Sequence, residues 1–268
     1  MQQERVKEVS FPAASKGYDD AASIWEAMRD EQAILVRASW LLKRAGYEEG
    51  EVEVEYTVKE NGELVKKKAK KPGWVQRRDA APLPHRAQIE KDHPEAIMPV
   101  EECEAGHTKM REVAAKVVKV YPNPEAQRAA LEAVPVLVAS HCWETPDHPD
   151  PEARTLRALA KALAGGWGEW YGNPRPTGLL PLYRAWGLSD VGVFVDWASL
   201  YQKPRSDAQA ACFGRALANM SLWYAHKLTT VLLVWGQDEH LREYEKDASG
   251  ALQRTCLLYT SPSPRDRG

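Results

Sequence analysis

The sequence predicts an α/β fold, a parallel sheet flanked by helices, preceded by an N-terminal helix plus β-hairpin region. Three observations carry this. Val134–Ala139, Gly192–Asp196 and Thr229–Trp235 are short apolar runs, the pattern of parallel strands buried on both faces. Helical patterns lie between them, and strand–helix alternation is the mark of a parallel sheet. Upstream, Asn61-Gly62 separates two extended segments, a strong short-range hairpin signal.

In chain order, residues 19–45 read as one helix, with Ile24, Met28, Ile34/Leu35 and Leu41/Leu42 at helical spacing and Gly46 placed to stop it. The hairpin follows, Glu51–Val58 against Leu64–Lys70. Counting outward from the turn sets Val58 opposite Val65, Glu55 opposite Lys68 and Glu53 opposite Lys70. That register gives the Lys66–Lys71 run matched acidic partners, a structural role preferred over a localisation or phosphate-binding cluster. Residues 72–107 carry five prolines, Pro72, Pro82, Pro84, Pro94 and Pro99, and read as an irregular, linker-like segment. Lys109–Tyr121 and Pro124–Ala133 read as helices, the second opened by Asn123-Pro124.

Beyond the first strand, Asp150 is placed to cap a helix carrying Leu156, Leu159/Ala160 and Leu163. A Gly- and Trp-rich stretch, 165–176, leads to a short helix at Leu179–Trp186. Helix Ser206–His226 joins the second strand to the third, with Phe213, Leu217, Met220 and Tyr224 as its stripe. A last helix is expected from Asp238 toward Gly250. The implied organisation is an accessory region (1–71), a Pro-rich linker (72–108) and an α/β domain (109–255).

Composition narrows the classes. The chain has 268 residues, 44% hydrophobic and 28% charged, with a net charge of −2. That balance disfavours a dedicated nucleic-acid binder. No apolar run approaches the ~18 residues of a membrane span, and the first residues carry no signal-type apolar core. Cysteines are few and widely spaced, without a CxxC pair, so a reducing, cytoplasmic setting is expected. The final stretch, Cys256-Leu257-Leu258-Tyr259-Thr260-Ser261-Pro262-Ser263-Pro264-Arg265-Asp266, resembles an in-frame translation of a transposon-end sequencing adapter. Residues 256–268 are therefore set aside from the fold, and the α/β domain is expected to be truncated at its C-terminal side.

In open parallel sheets, ligands bind beyond the carboxyl ends of the strands. Three such ends are visible here. The first runs Ser140-His141-Cys142-Trp143-Glu144 into Asp147-His148-Pro149-Asp150. The second runs Asp196-Trp197-Ala198-Ser199-Leu200-Tyr201-Gln202, and the third Trp235-Gly236-Gln237-Asp238. Their convergence would give an aromatic and acidic rim suited to a nucleotide-like small molecule, with Ser140, His141, Trp143, Asp196, Trp197, Ser199, Tyr201 and Gln202 as the ligand-binding candidates. Asp196 has two readings, ligand contact or acceptor for loop amides, and Trp143 and Trp197 two, ligand surface or core. His141, Cys142 and His148 match no standard metal spacing, so no metal is expected. The P-loop, GxSxG and HExxH signatures do not occur.

The same residues resemble a known family. Ser140-His141-Cys142-Trp143 is similar to the serine–aromatic–tryptophan opening of fungal heterokaryon-incompatibility (HET) domains. Val193-Phe194-Val195-Asp196-Trp197-Ala198-Ser199-Leu200-Tyr201-Gln202 resembles their strand with an aspartate followed by a glutamine. Ala218-Asn219-Met220, Tyr224-Ala225 and Val231-Leu232-Leu233-Val234-Trp235-Gly236 follow in the family's order. The block is also similar to uncharacterised algal families sharing SHxW, HPDP and FxDxxSLxQ elements. The resemblance covers about 134–250, with His141 and Glu144 departing from the family's usual residues. It implies a flavodoxin-like sheet related to Toll/interleukin-receptor (TIR) domains, and a signalling role with self-association. Some TIR relatives hydrolyse NAD at the nicotinamide–ribose bond with a helical glutamate. Here that residue would be Glu245, with NAD as substrate rather than cofactor; the bland reading of Glu245 is a solvated helix glutamate.

Overall fold

A computed structural model describes residues 17–60, 63–117, 133–145, 147–165, 167–170, 173–176, 178–234, 245–246 and 252–253. Its centre is a five-stranded mixed sheet. Strands β1 (Leu35–Arg37), β4 (Ile97–Met98), β5 (Val136–His141), β8 (Gly192–Val195) and β9 (Thr230–Val234) lie in the order β4-β1-β8-β5-β9. The three strands expected from their apolar runs form its parallel part. Val138 stands opposite Phe194 on one side and Val231 on the other.

The antiparallel half corrects the sequence reading. Residues 19–45 are two helices, α1 (Ala21–Arg29) and α2 (Ala38–Arg44), with β1 between them. Glu31 breaks the helix by taking a positive φ of 56°. Leu35 and Val36 then pair antiparallel with Met98 and Ile97, and Val36 pairs with Val193 on the other side. A run of Ile34, Leu35 and Val36 fits a helical stripe and a buried strand equally well. Pairing with β8 and β4 decides for the strand. Gly46 does end α2, with φ +85°, and its carbonyl accepts from the amides of Arg77 and Arg78. Arg78's carbonyl oxygen would lie 2.0 Å from any Cβ there, so glycine is required.

The segment expected to be irregular is largely structured. It holds the end of β3 (Glu63–Gln76), α3 (Arg86–Asp92), a 3-10 turn at Pro94–Ala96, β4, and the start of α4 (Val100–Val117). The first hundred residues thus supply two strands of the central sheet. Pro82, Pro84, Pro94 and Pro99 sit at the junctions, where a missing N–H costs no pairing, while Pro72 lies within β3 opposite Glu51.

Helices cover both faces of the sheet. Alternate residues of β5 divide the interior. Leu137 and Ala139 join a core with α2, α5 (Arg154–Ala164) and α6 (Leu179–Ala185). Val136 and Val138 join a second core with α1, α8 (Asp207–Ala218) and α9 (Met220–Ala225). Trp223 stacks on Phe194 in that second core, ring centres 4.9 Å apart. The expected helix Ser206–His226 is interrupted at Asn219, whose amide nitrogen donates to the Gln32 side chain. Its start is a full capping box between Ser206 and Gln209.

The hairpin has the expected register. β2 (Tyr47–Glu60) and β3 pair over their whole length with Val58 opposite Val65, Glu55 opposite Lys68 and Glu53 opposite Lys70. At 14 residues a strand the ribbon is ~45 Å long. Its ion pairs are diagonal rather than directly across: Lys66–Glu55 and Lys68–Glu53 at 2.8 Å, and Lys70–Glu51 at 3.6 Å. The strand twist brings the diagonal neighbour within reach of a long lysine side chain. Trp74 anchors the base of the ribbon in the core, with the Arg184 guanidinium over its ring.

The expected helix Pro124–Ala133 lies outside the described residues up to 132. Most of the expected 238–250 helix does too. Within it, Glu245–Lys246 is a two-residue strand (β10) paired antiparallel with Leu252–Gln253 (β11), so the structure does not set Glu245 on a helix. The remaining two strands, β6 (Trp167–Trp170) and β7 (Asn173–Pro176), form a small hairpin. α7 is the turn of helix Asp196–Ser199 that follows β8 directly.

Candidate functional site

The carboxyl ends of β5 and β8 meet as the sequence anticipates. Ala139 pairs with Val195, so His141 and Asp196 emerge side by side. His141 Nε2 lies 3.7 Å from Asp196 Oδ1, with the His141 side chain only 2% exposed and the Asp196 side chain 21%. Asp196 accepts two hydrogen bonds: the Trp143 indole N–H at 2.9 Å on Oδ2, and the Trp197 backbone N–H at 2.6 Å on Oδ1. Asp196 therefore links both loops of the rim. Its negative charge reaches farther: Tyr224's hydroxyl is pushed well above the usual tyrosine range, by burial first and by Asp196 second.

The aromatic residues form a cluster around Trp197. Trp143 and His85 meet it edge-on at 5.6 and 5.9 Å, and His148 is tilted at 4.7 Å. Trp197 is itself buried, its indole N–H donating to the Leu83 carbonyl at 2.8 Å. For Trp197 the core reading is the observed one, while Trp143 is only partly buried. His148 accepts from the Asp150 amide on Nδ1, and its Nε2 lies 3.3 Å from the same Leu83 oxygen, which requires the tautomer with hydrogen on Nε2. Asp150 caps α5 as anticipated, taking the amides of Thr155 and Leu156 at 3.0 and 2.8 Å. Ala153, at φ 56°, turns the chain between the cap and the helix.

The other candidates serve the loop itself. Ser199 is fully buried and its Oγ accepts from the Val195 amide. Gln202 donates to the carbonyls of Asp196 and Leu200. The Tyr201 hydroxyl donates to the Glu90 carboxylate, 3.0 Å from either oxygen. Ser140 is part-buried at the end of β5, its backbone opposite Leu233. Glu245 is not brought to this cluster by any described contact, and the third loop, from Trp235, lies outside the described residues. Between the rim and α5 is a cavity of about 20 Å³, bounded by His141, Asp150, Thr155, Leu83, Val195 and Trp197. That volume suits a water-sized guest, whereas ligand pockets span ~300–1,000 Å³.

Sequence reasoning missed the wall supplied by residues 83–90. Arg86 is 1% exposed, pairs with Glu90 at 2.7 Å, donates to the Glu31 carbonyl, and lies 3.9 Å from the Tyr201 ring centre. No local pattern announces this. The stretch carries no period, and apart from Glu90 the partners of Arg86, Glu31 and Tyr201, lie more than fifty residues away in either direction.

Among the described residues no group of three or more His, Cys, Asp or Glu is placed to hold a metal ion. No described helix is long and apolar enough to cross a membrane. No family model matches the chain, and no curated protein and no solved structure is significantly similar to it.

Proposed function

We propose that this chain is a signalling module of the HET/TIR kind that works by self-association of its α/β domain, with the rim as a rigid recognition platform. The observation that carries this is the commitment of the rim's polar groups to one another. Asp196, Trp197 and Tyr201 spend hydrogen bonds on neighbouring segments, and Ser199 and Gln202 spend theirs within their own loop. Such a network holds a surface in one shape. The flavodoxin-like arrangement belongs to the same proposal. β8, β5 and β9 lie second-first-third in chain order, the order with which that doubly wound fold begins. A cytoplasmic setting goes with this reading, supported by widely spaced cysteines without a CxxC pair.

A second reading, hydrolysis of NAD at the nicotinamide–ribose bond with Glu245 as the catalytic carboxylate, is favoured by the convergence of strand ends. Ser140 and His141 stand opposite Leu233 and Val234, beside the ends of all three parallel strands. That is where nucleotides bind in such sheets. Asp196 and Trp143 would face the ligand there, and a carboxylate would stabilise the cation left as nicotinamide departs.

One experiment separates the two. Light scattering over a concentration series is run alongside an assay of nicotinamide release from NAD, with Glu245→Ala as control. Association without release supports the module. A strict monomer at every concentration overturns it, and release that disappears in the variant establishes the hydrolase.

A further inference from the structure

Two histidines, one after β5 and one before β9, close the same kind of clasp at opposite ends of the parallel strands. In each ring Nδ1 accepts from the backbone N–H two residues ahead: Asp150 for His148 at 2.9 Å, Leu228 for His226 at 3.1 Å. Each Nε2 then meets a carbonyl of a distant segment, Leu83 at 3.3 Å and Asp20 at 3.2 Å. Ser23 Oγ lies 3.3 Å from the His226 Nε2 as well. A ring nitrogen that accepts carries no hydrogen, so both rings are neutral with their hydrogen on Nε2. Each is an acceptor toward its own turn and a donor across the fold.

The bonds hold separate pieces together. His148 ties the loop after β5 to the wall at residues 83–90, its ring against Trp197. His226, 4% exposed, ties the turn before β9 to Asp20, the residue that opens α1. Leu228, bonded to the His226 ring, also gives its carbonyl to the Val134 amide at 2.9 Å, just ahead of β5.

A second proton can enter either ring only at Nδ1, where a backbone N–H already points. The imidazolium then sets donor against donor, and the bond to the turn is lost. The charges around each ring are already engaged. Near His148, Asp150 takes two α5 amides, Glu144 faces Arg154 at 3.9 Å, and Asp147 is exposed. On the wall Glu90 serves Arg86 and Tyr201 beside His85, and on α7 Asp196 serves Trp143 and Trp197 beside His141. Near His226, Asp19 pairs with Lys227 and Asp20 Oδ1 takes the Ala22 amide, with Tyr18 and Tyr224 on the flanking segments.

We propose that His148 and His226 are acid-opened clasps, whose protonation frees the loop after β5 from the 83–90 wall and the head of α1 from the turn before β9. The inference goes beyond the signalling reading and does not depend on it. It gives the fold a way to loosen both ends of its sheet while the sheet itself stays paired.

The test combines imidazole nitrogen NMR with amide hydrogen exchange on the full chain at about pH 7.5 and about pH 5.5, a range that brackets ordinary histidine titration. The unaltered protein is compared with His148→Gln and His226→Gln, since glutamine keeps a donor at Nε2 and does not titrate. At the higher pH both rings are expected to be neutral with hydrogen on Nε2. At the lower pH, protection of the Asp150 and Leu228 amides, corrected for intrinsic exchange, should fall more than ~tenfold. Val138, in the middle of the sheet, should keep its protection. Each variant should lose the pH response at its own clasp and retain it at the other. Hydrogen on Nδ1 of either ring at the higher pH overturns the proposal, as does protection of Asp150 and Leu228 that does not change. An equal loss at Val138 means global unfolding and overturns it too. A response that survives in the variants assigns the effect to another titrating group. The measurements on the unaltered protein decide even where a variant fails to fold.

Discussion

The indole of Trp143 and the carboxylate of Asp196, fifty-three residues apart, are joined by a 2.9 Å hydrogen bond that ties the loop after β5 to the loop after β8. Asp196 is simultaneously fixed by the amide of Trp197 and stands beside His141. The loop after β5 and the loop after β8 are thus tied to one carboxylate.

Replacing Trp143 with Phe keeps most of the ring and removes the donor. Asp196 is left a poorer-satisfied carboxylate in a half-buried position, at a cost of ~1–3 kcal/mol. Urea unfolding monitored by far-UV circular dichroism should show the lower midpoint with an unchanged slope. An unchanged midpoint would mean that the bond does not organise the rim.

Arg86 is the buried cation behind Tyr201, paired with Glu90 and bonded to the Glu31 carbonyl. Arg86→Ala strips Glu90 and Tyr201 of their partner and opens a void. A loss of ~3–5 kcal/mol is expected. Arg86→Lys should recover only part of it, because an ammonium lacks the planar fork that serves Glu90 and the backbone together. Thermal unfolding of the two variants side by side measures both effects.

Arg37 grips Glu102 with two bonds, 2.8 and 2.6 Å, and holds its carboxyl below the ordinary carboxylate range. A depressed folded-state pKa means stability fully present above the unfolded value of ~4.3 and lost as pH falls through the folded one. Glu102→Gln should therefore lower stability at neutral pH, by about 1 kcal/mol given the partial exposure of both side chains. Below pH ~4 the difference from the unaltered protein should shrink. Denaturant titrations at several pH values between 3 and 7 check the sign.

Cys103 is buried in the core it shares with Ile24 and Met98, and its thiol is pushed up to about 12, chiefly by burial and then by Glu102. At pH 8 it is a thiol, not a thiolate, and so inert to alkylation. Iodoacetamide treatment of the native protein followed by peptide mass spectrometry should modify the exposed Cys142 and leave Cys103 and Cys212 intact. Modification of Cys103 at a comparable rate would show that α4 opens readily from the sheet edge.

Much of this architecture is written in short-range pattern. Asn61-Gly62 sets the hairpin register because a two-residue turn leaves no freedom in counting outward. The three apolar runs name the parallel strands, since strands buried on both faces need no alternation. Asp150 announces the cap of α5, and its carboxylate bonds two of that helix's free amides. Each of these features depends on residues within a few positions of one another.

Other features belong to the tertiary structure alone. Ile34, Leu35 and Val36 satisfy a helical period and a strand equally, and only the edges of β8 and β4 decide between them. Leu83, Arg86 and Glu90 become the wall of the rim because Trp197 and Tyr201, more than a hundred residues later, supply their partners. The sequence by itself determined the long hairpin, the three parallel strands and the rim residues His141, Trp143 and Asp196. The antiparallel half of the sheet and the bonds that occupy the rim were decided by contacts between distant segments. Periodicity and turn chemistry report on neighbours along the chain and carry no information about who pairs across it.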